Sequence, residues 1–348
     1  MSALDTHRIR AGQFRRSREN DFAGGRRSRW TAKWPYRPAA EYQVYRGPED
    51  LIRWFEWYGS YPHWLPNALT RPLAALSEQP NARIISALES GTYRFSHIDE
   101  YNASDYLFQN LYPIPERMKI SRILDFGPGF GRQVNLWSQL NPALVYVGLE
   151  GIELPYCIQN YYYSQFNLPL HEYLDDPDKF TVAMEPGIYH LPTWQSDLLP
   201  PNFFDLVICV QVLQEIPEEL VHHIIEVFAR VLKPGGALYI RDHGMQTPRV
   251  HTVDMDSVLG QHEFVLEFRP YVVDTQHSRL EGHDFAPDVH GIPRIWRKRD
   301  SRYPAHALTG AGRNPWVAAR KAAIRVDAAL GGLGRSTYQV LRRHVTTR

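Results

Sequence analysis

The stretch that most constrains this chain is Ile123-Leu124-Asp125-Phe126-Gly127-Pro128-Gly129-Phe130-Gly131-Arg132-Gln133-Val134-Asn135-Leu136-Trp137. A short apolar run breaks into three glycines at alternate positions and resumes with helical spacing at Val134, Trp137 and Leu140. The pattern predicts strand, tight turn, helix. Glycine suits the turn because a Cβ would obstruct both the bend and the close approach of a ligand. The following helix would direct unpaired N–H groups and the positive end of its dipole at whatever fills the turn. The expectation is a cradle for a nucleotide-type ligand at the tip of a first strand. The dinucleotide fingerprint G-x-G-x-x-G is not met, because Arg132 stands where its third glycine would fall.

From residue 119 the pattern alternates strand and helix, which argues for a parallel sheet covered on both faces. Strands are expected at about Arg122–Phe126, Ala143–Leu149, Ile188–Leu191, Phe204–Val210 and Ala237–Arg241, with two more near Phe264–Phe268 and Pro293–Trp296. Helices are expected near Arg132–Gln139, Leu154–Gln165 and Glu218–Leu232, with Glu172–Lys179 a polar excursion. Lys233-Pro234-Gly235-Gly236 reads as the turn into the fifth strand.

Four regions follow. Residues 1–29, rich in arginine and poor in apolar positions, are expected to be a disordered basic tail. Residues 30–118 form a helical cap, with five of the nine tryptophans between 30 and 64 and helices around Leu73–Leu76, Ile84–Leu88 and Ser104–Leu111. That aromatic cluster serves as packing, and could also wall an acceptor pocket. Residues 119–300 form the nucleotide-binding domain. Residues 301–348 form a basic helical extension, where Trp316, Ala319, Ala323, Val326 and Leu330 recur at three and four residues. Docking of that helix on the body, or on a second copy in a homo-oligomer, is favoured over membrane attachment.

The net charge of +1 hides an asymmetry. Residues 1–40 carry ten Lys/Arg against three Asp/Glu, residues 294–348 thirteen against two, and residues 41–293 sixteen against thirty-three. The ends are read as solubilising tails or as arms that pack back on the acidic body. A nucleic-acid partner is not expected, because no recognised module accompanies the charge. No apolar run approaches the ~20 residues of a membrane span, so no membrane partner is expected. The polar N-terminus lacks a signal-like apolar core, and Cys157 and Cys209 suggest neither a disulfide framework nor a zinc site. A cytoplasmic location is the expectation.

Several features line up with the glycine turn. Asp125 immediately precedes it. Glu150 ends the second strand, about 20 residues on, where a carboxylate can accept both ribose hydroxyls of a nucleoside. Ser196-Asp197 follows the third strand, Val210-Gln211-Val212-Leu213-Gln214-Glu215-Ile216 continues the fourth, and Leu232-Lys233-Pro234-Gly235-Gly236 precedes the fifth. In this order the motifs resemble those of class I S-adenosylmethionine (SAM)-dependent methyltransferases. The resemblance covers residues 119–242 and implies a Rossmann-like α/β fold, with a mostly parallel seven-stranded sheet and helices on both faces. It also implies SAM as cofactor, leaving as S-adenosylhomocysteine (SAH), and cofactor-binding roles for Asp125, Gly127, Gly129, Gly131, Glu150, Gly151, Ser196, Asp197, Val210 and Gln211. The runs Glu150–Tyr156, Tyr239–His243 and Gly291–Arg297 resemble those of sugar O-methyltransferases. The implied acceptor is a hydroxyl of a small molecule, a sugar or glycosylated natural product.

An alcohol acceptor needs alignment with the sulfonium methyl and a positioned base. His243, after the fifth strand, is the candidate base, and Asp242 beside it would orient the imidazole or hold a metal. A divalent ion at Asp242 with loop groups such as His277, Glu281, His283, Asp284 or His290 is open, but no spacing compels a metal site. Rival readings are a small-molecule N-methyltransferase, a nucleic-acid methyltransferase, and a catalytically silent scaffold of the same fold. Gln211-Val212-Leu213-Gln214 lacks the Asn/Asp-Pro-Pro-aromatic run common in base-methylating enzymes, which counts against the second. A dehydrogenase fails on the glycine spacing.

Overall fold

The apolar runs of the alternating region are buried almost without interruption: four of five residues at Arg122–Phe126, all six at Val145–Glu150 and Gly187–Pro192, and six of seven at Phe204–Val210. Continuous burial, rather than alternation, is what a parallel sheet covered on both faces requires. The computed structural model describes residues 3–23, 45–59, 67–88, 96–111, 120–213, 216, 218–242, 255–268 and 292–300. In chain order these form α1 (Ala3–Ala23), α2 (Asp50–Gly59), α3 (Asn67–Leu88), α4 (Ser96–Leu111), β1 (Arg122–Phe126), α5 (Val134–Leu140), β2 (Val145–Glu150) and α6 (Glu153–Tyr163). Then come β3 (Leu170–Glu172), β4 (Gly187–Pro192), a 3₁₀ segment (Thr193–Leu198), β5 (Phe204–Val210), α7 (Glu218–Val231), β6 (Leu232–Asp242), α8 (Met255–Gln261), β7 (Phe264–Phe268) and β8 (Ile292–Lys298).

The strand order is β3-β4-β2-β1-β5-β6-β8-β7. All pairs are parallel except β6–β8 and β7–β8. This is the Rossmann-like, mostly parallel sheet the resemblance implies, with a correction: among the described residues the sheet has eight strands where seven were expected. The extra one, β3, is a three-residue edge strand whose His171 faces solvent, at the start of the segment read as a polar excursion. The order reverses across β1, whose neighbours β2 and β5 lie on opposite sides. Such a switch point opens a crevice at the carboxyl ends of the strands. A second difference is that Lys233–Gly236 is absorbed into β6 as a bulge. Phe204 pairs with Leu232 and Leu206 with Ala237, so the segment loops out between two successive pairings with β5.

The cap helices pack against α5 and against each other. Pro72 and Pro80 both lie inside α3, which runs unbroken where two shorter helices were expected. Pro80 cannot donate to the carbonyl four residues earlier. That carbonyl, Leu76 O, accepts from Gln139 Nε2 of α5 at 3.1 Å. Tyr45 and Phe55 are buried, and the Phe55 ring meets Phe130 of the glycine turn at 4.7 Å between centroids. For these members of the aromatic segment, packing is the observed role; Trp30, Trp34, Tyr36, Tyr42 and Trp64 lie outside the described residues.

The disordered tail expected over 1–29 is corrected for residues 3–23, which form α1 and dock on α6. Counting apolar positions undervalued one of them. Phe14 is fully buried, with its ring 4.8 Å from that of Tyr156 and 5.0 Å from that of Trp194. The rest of the contact is polar. Arg15 makes a two-point pair with Glu153 at 2.5 and 2.6 Å, Arg10 reaches Asp175 at 2.9 Å, and Gln13 Nε2 donates to Leu174 O at 3.2 Å. This is the basic arm packing on the acidic body. The amphipathic segment at 316–330, with Ser336 beyond it, lies outside the described residues.

Half-exposed ion pairs contribute little, about 0–1 kcal/mol each, so Phe14 carries most of the docking energy. Phe14→Ala is expected to lower unfolding free energy by about 2–4 kcal/mol in denaturant titrations, whereas Arg15→Ala lowers it by about 1 kcal/mol or less.

Candidate cofactor site

β1 hands over to a turn in which Gly127, Gly129 and Gly131 have φ of +66°, +65° and +88°. The turn is tied to β2 by the Gly127 N–H, which donates to Leu149 O at 2.9 Å, and closed on itself from Gly131 N–H to Pro128 O at 2.9 Å. A Cβ on Gly127 would sit 2.5 Å from Val212 Cγ2, and one on Gly131 2.8 Å from Tyr163 Cζ. At these two positions the chain's own side chains, together with φ, exclude a Cβ; ligand approach is not the only reason for glycine. The expectation of unpaired N–H groups at the helix start is also adjusted. Val134 and Asn135 N–H already donate to Gly131 O and Arg132 O at 3.2 and 3.3 Å, and α5 is only seven residues long.

Glu150 ends β2 beside this turn and is buried. One carboxylate oxygen accepts from the N–H groups of Gly151 and Ile152 at 2.8 and 3.0 Å, and the other from Gln159 Nε2 at 3.0 Å. Burial pushes its carboxyl up to about 7, against those three hydrogen bonds, which favour the ionised form. Asp125 is also buried on β1, accepts from the Tyr146 hydroxyl of β2, and is likewise raised to about 7 by burial. Two carboxyls poised near neutrality thus lie at adjacent strand tips, where a cationic ligand with hydroxyl donors would favour their charged forms. A sulfonium nucleoside of the SAM type has that chemistry.

Gly151 begins the next turn, where a Cβ would meet Thr193 Oγ1 at 2.8 Å, so β2 and the 3₁₀ segment touch. Ser196 is buried in that segment, its carbonyl accepting from Arg230 Nη2 at 2.7 Å, while Asp197 is exposed. Val210 ends β5, half-buried. Gln211 follows with φ +58°, an unusual value for a residue with a Cβ, and its N–H donates to Arg241 O at 2.6 Å. The kink turns Val212 against Gly127, which brings the segment after β5 to the glycine turn. Asp242 is the last residue of β6, paired with Ile292 of β8. His243, the loop histidines and acids at 277–290, and Gln214 and Glu215 lie outside the described residues. Among the described residues, no group of three or more His, Cys, Asp and Glu is placed to hold a metal ion. No helix among them is long and apolar enough to cross a membrane.

Sequence reasoning missed the groups that hold the turn. Arg132 swings into the cap, where it donates to Asn102 Oδ1 at 2.9 Å and pairs with Asp105 of α4. Asp105 also accepts from Tyr239 at 2.6 Å, from Gln133 at 3.0 Å and from Arg241 at 3.1 Å. Burial pushes the Asp105 carboxyl up, but the guanidinium groups of Arg241 and Arg132 and the hydrogen bonds hold it below the usual carboxylate range. Both guanidinium groups lie over the Tyr101 ring, at 4.4 Å for Arg132 and 4.2 Å for Arg241. Gln159 was missed too. A signal was present: Tyr156, Gln159 and Tyr163 share one helical face by their spacing, so a polar side chain sits in a buried stripe.

Residues 188–240, from β4 to β6, match the methyltransferase domain family. No curated protein matches the chain. Solved structures with a similar arrangement include the [4+2]-cyclase SpnF (16% identity over 57% of this chain and 82% of that one, TM-score 0.38). Others are a SAM-dependent methyltransferase from Methanosarcina mazei (17%, 55% and 99%, TM-score 0.38) and one from Mesorhizobium loti (16%, 52% and 93%, TM-score 0.38). Residues 188–240 thus carry the match to a methyltransferase domain, and the sheet and glycine turn around them have the Rossmann-like order of the class I methyltransferase fold.

The raised carboxyls give a pH signature. In the folded chain Asp125 and Glu150 keep protons up to about 7, whereas in the unfolded chain they release them near 3.8 and 4.5. The folded state therefore binds more protons between those values, and the two groups' contribution to stability falls as pH rises from about 4 to about 7. Asp125→Asn, which can still accept from Tyr146, is expected to flatten this dependence. It should raise stability by about 1–3 kcal/mol at pH near 8 in unfolding titrations of the ligand-free protein.

Proposed function

We propose that this domain transfers a methyl group from SAM to a hydroxyl of a small molecule, a sugar or glycosylated natural product. The observation that carries the cofactor part is the pairing of a turn held at positive φ by three glycines with a buried carboxylate, Glu150, at the neighbouring strand tip. Glu150 would accept from the ribose hydroxyls, and the backbone of Gly127 to Gly131 would pass under the methionine tail, with Asp125 beside it. Ser196-Asp197 and the Val210–Gln211 segment would border the nucleoside. When bound, SAM supplies an activated methyl on a sulfonium. The residues of this chain exclude water, fix the angle of attack and accept the hydroxyl proton.

The acceptor would enter at the carboxyl rim of β5 and β6. Asp242 occupies the end of β6 and its neighbour His243 is the proposed base, its Nδ1 or Nε2 taking the proton as the oxygen–methyl bond forms. The runs at 150–156, 239–243 and 291–297 support a sugar-type acceptor by resemblance.

Calorimetry with SAH tests the cofactor assignment. The protein is expected to bind it, and Glu150→Ala to weaken binding about tenfold or more, the size expected for hydrogen bonds to a charged group. His243→Ala is expected to keep SAH affinity within about threefold while methyl transfer to a panel of hydroxylated acceptors, read as SAH formed, falls about 100-fold or more. An unchanged rate in the histidine variant removes His243 from the mechanism.

A further inference from the structure

Beside Glu150 a buried polar chain starts at the glycine turn and runs through α6 to β4 and β3. The Gln159 amide nitrogen of α6 donates one hydrogen to Gly129 O at 2.6 Å and the other to Glu150 at 3.0 Å. A backbone carbonyl cannot donate, so the nitrogen must face Gly129 and the amide oxygen must face the other way. There it meets His190 Nε2 of β4 at 3.0 Å, which makes that nitrogen a donor. The other ring nitrogen, Nδ1, lies 2.8 Å from Glu172 of β3.

Glu172 is fully engaged as an acceptor. Besides His190 it takes hydrogen bonds from the Tyr156 hydroxyl, from Leu174 N–H at 3.1 Å and from Asn160 Nδ2 at 2.6 Å. Four donors fill the capacity of an ionised carboxylate and leave no place for a proton of its own. Burial pushes the Glu172 carboxyl up, but the charge of His190, its hydrogen bond, and the Arg10 and Tyr156 contacts together hold it low. His190 therefore bridges Gln159 and Glu172 through its two ring nitrogens, with Nε2 the donor to Gln159; the ring is fully buried, stacked on Tyr156 at 3.9 Å between centroids and edge-on to Tyr163 at 5.3 Å. From α1, Arg10 approaches Glu172 at 3.9 Å and pairs with Asp175. The groups facing the ring are thus Glu172 from β3 and Tyr156, Gln159 and Tyr163 from α6, with Arg10 and Asp175 one step beyond.

We propose that Gln159 is a positioning residue for the cofactor. Its amide, held in one orientation by the buried His190–Glu172 pair, clamps the Gly129 carbonyl to the Glu150 carboxylate and so fixes the separation of the two strand tips across which the nucleoside would lie. This role rests on the reading of Glu150 as the ribose ligand. A neutral glutamine suits the task because a single NH₂ group can bridge a carbonyl and a carboxylate; a charged side chain would compete with the ligand for Glu150. The pair behind it denies the amide the freedom to flip. Loss of the His190 Nε2–H would leave two acceptors face to face and release the clamp. Cofactor affinity then depends on a histidine that never touches the cofactor.

The test uses the full chain and SAH as the probe. Gln159→Leu is expected to weaken SAH binding about tenfold, and Glu172→Gln to weaken it in the same direction by loosening the hold on His190 Nδ1. In ¹⁵N-histidine-labelled protein, Nε2 of His190 is expected to carry a proton, as the donor to the Gln159 amide oxygen. In Gln159→Leu, which removes that acceptor, the Nε2 resonance is expected to shift. A variant packing equally well but binding SAH as the wild type does overturns the role of Gln159. An Nε2 of His190 that carries no proton in ligand-free wild-type protein overturns it as well, whether or not the variants fold. Wild-type protein that takes up no SAH sinks the ribose reading itself, an outcome distinct from these two.

Discussion

A carboxylate removed from water must be given donors or it will not stay charged. Much of this site answers that requirement at Glu150. The chain turns at Gly151 so that two successive N–H groups point back at one oxygen, and α6 is placed so that one of its side-chain amides reaches the other. Those donors leave the carboxyl near neutrality rather than fully ionised. On the proposed reading of Glu150, a bound ribose diol would supply the remainder.

The same logic, with the opposite balance, governs the other side of the turn. Asp105 has two guanidinium groups, a phenol and an amide, and is held firmly charged. Its partners come from the glycine turn and β6, whereas Asp105 itself comes from the cap. One buried carboxylate therefore joins the lid of helices to the sheet at the place where the strand order reverses. The polar lattice of Ser77, Asn81, Asp99, Asn135 and Tyr162 continues that joint through α3, α5 and α6. The helical cap is wired to the turn by directional bonds, in addition to packing on it.

What the sequence disclosed followed from how local each signal was. The continuous apolar runs of β1, β5 and β7 carried their own boundaries, and the glycines and Glu150 were visible because their spacing is short. Features that depend on distant partners were hidden. Pro80 looks like a helix end until Gln139 is seen accepting the duty of its missing N–H. β3 is too short and too polar to be recognised without β4 beside it. Arg132 reads as a spoiled dinucleotide glycine, yet its purpose is a carboxylate twenty-seven residues earlier. Gln159 is one polar residue on a helix face, and its significance lies in three partners spread from Gly129 to His190.

The position of α1 has a consequence for the order of assembly. Its anchoring contacts join residues 138 positions apart at Arg15–Glu153 and 177 apart at Ser17–Trp194. A ribosome releases this helix long before α6 and the 3₁₀ segment that receive it exist. Docking must wait for the central strands to pair, so the helix closes over a sheet already formed. Its sparse, arginine-studded composition, which makes it look like a tail, keeps it in solution during that wait.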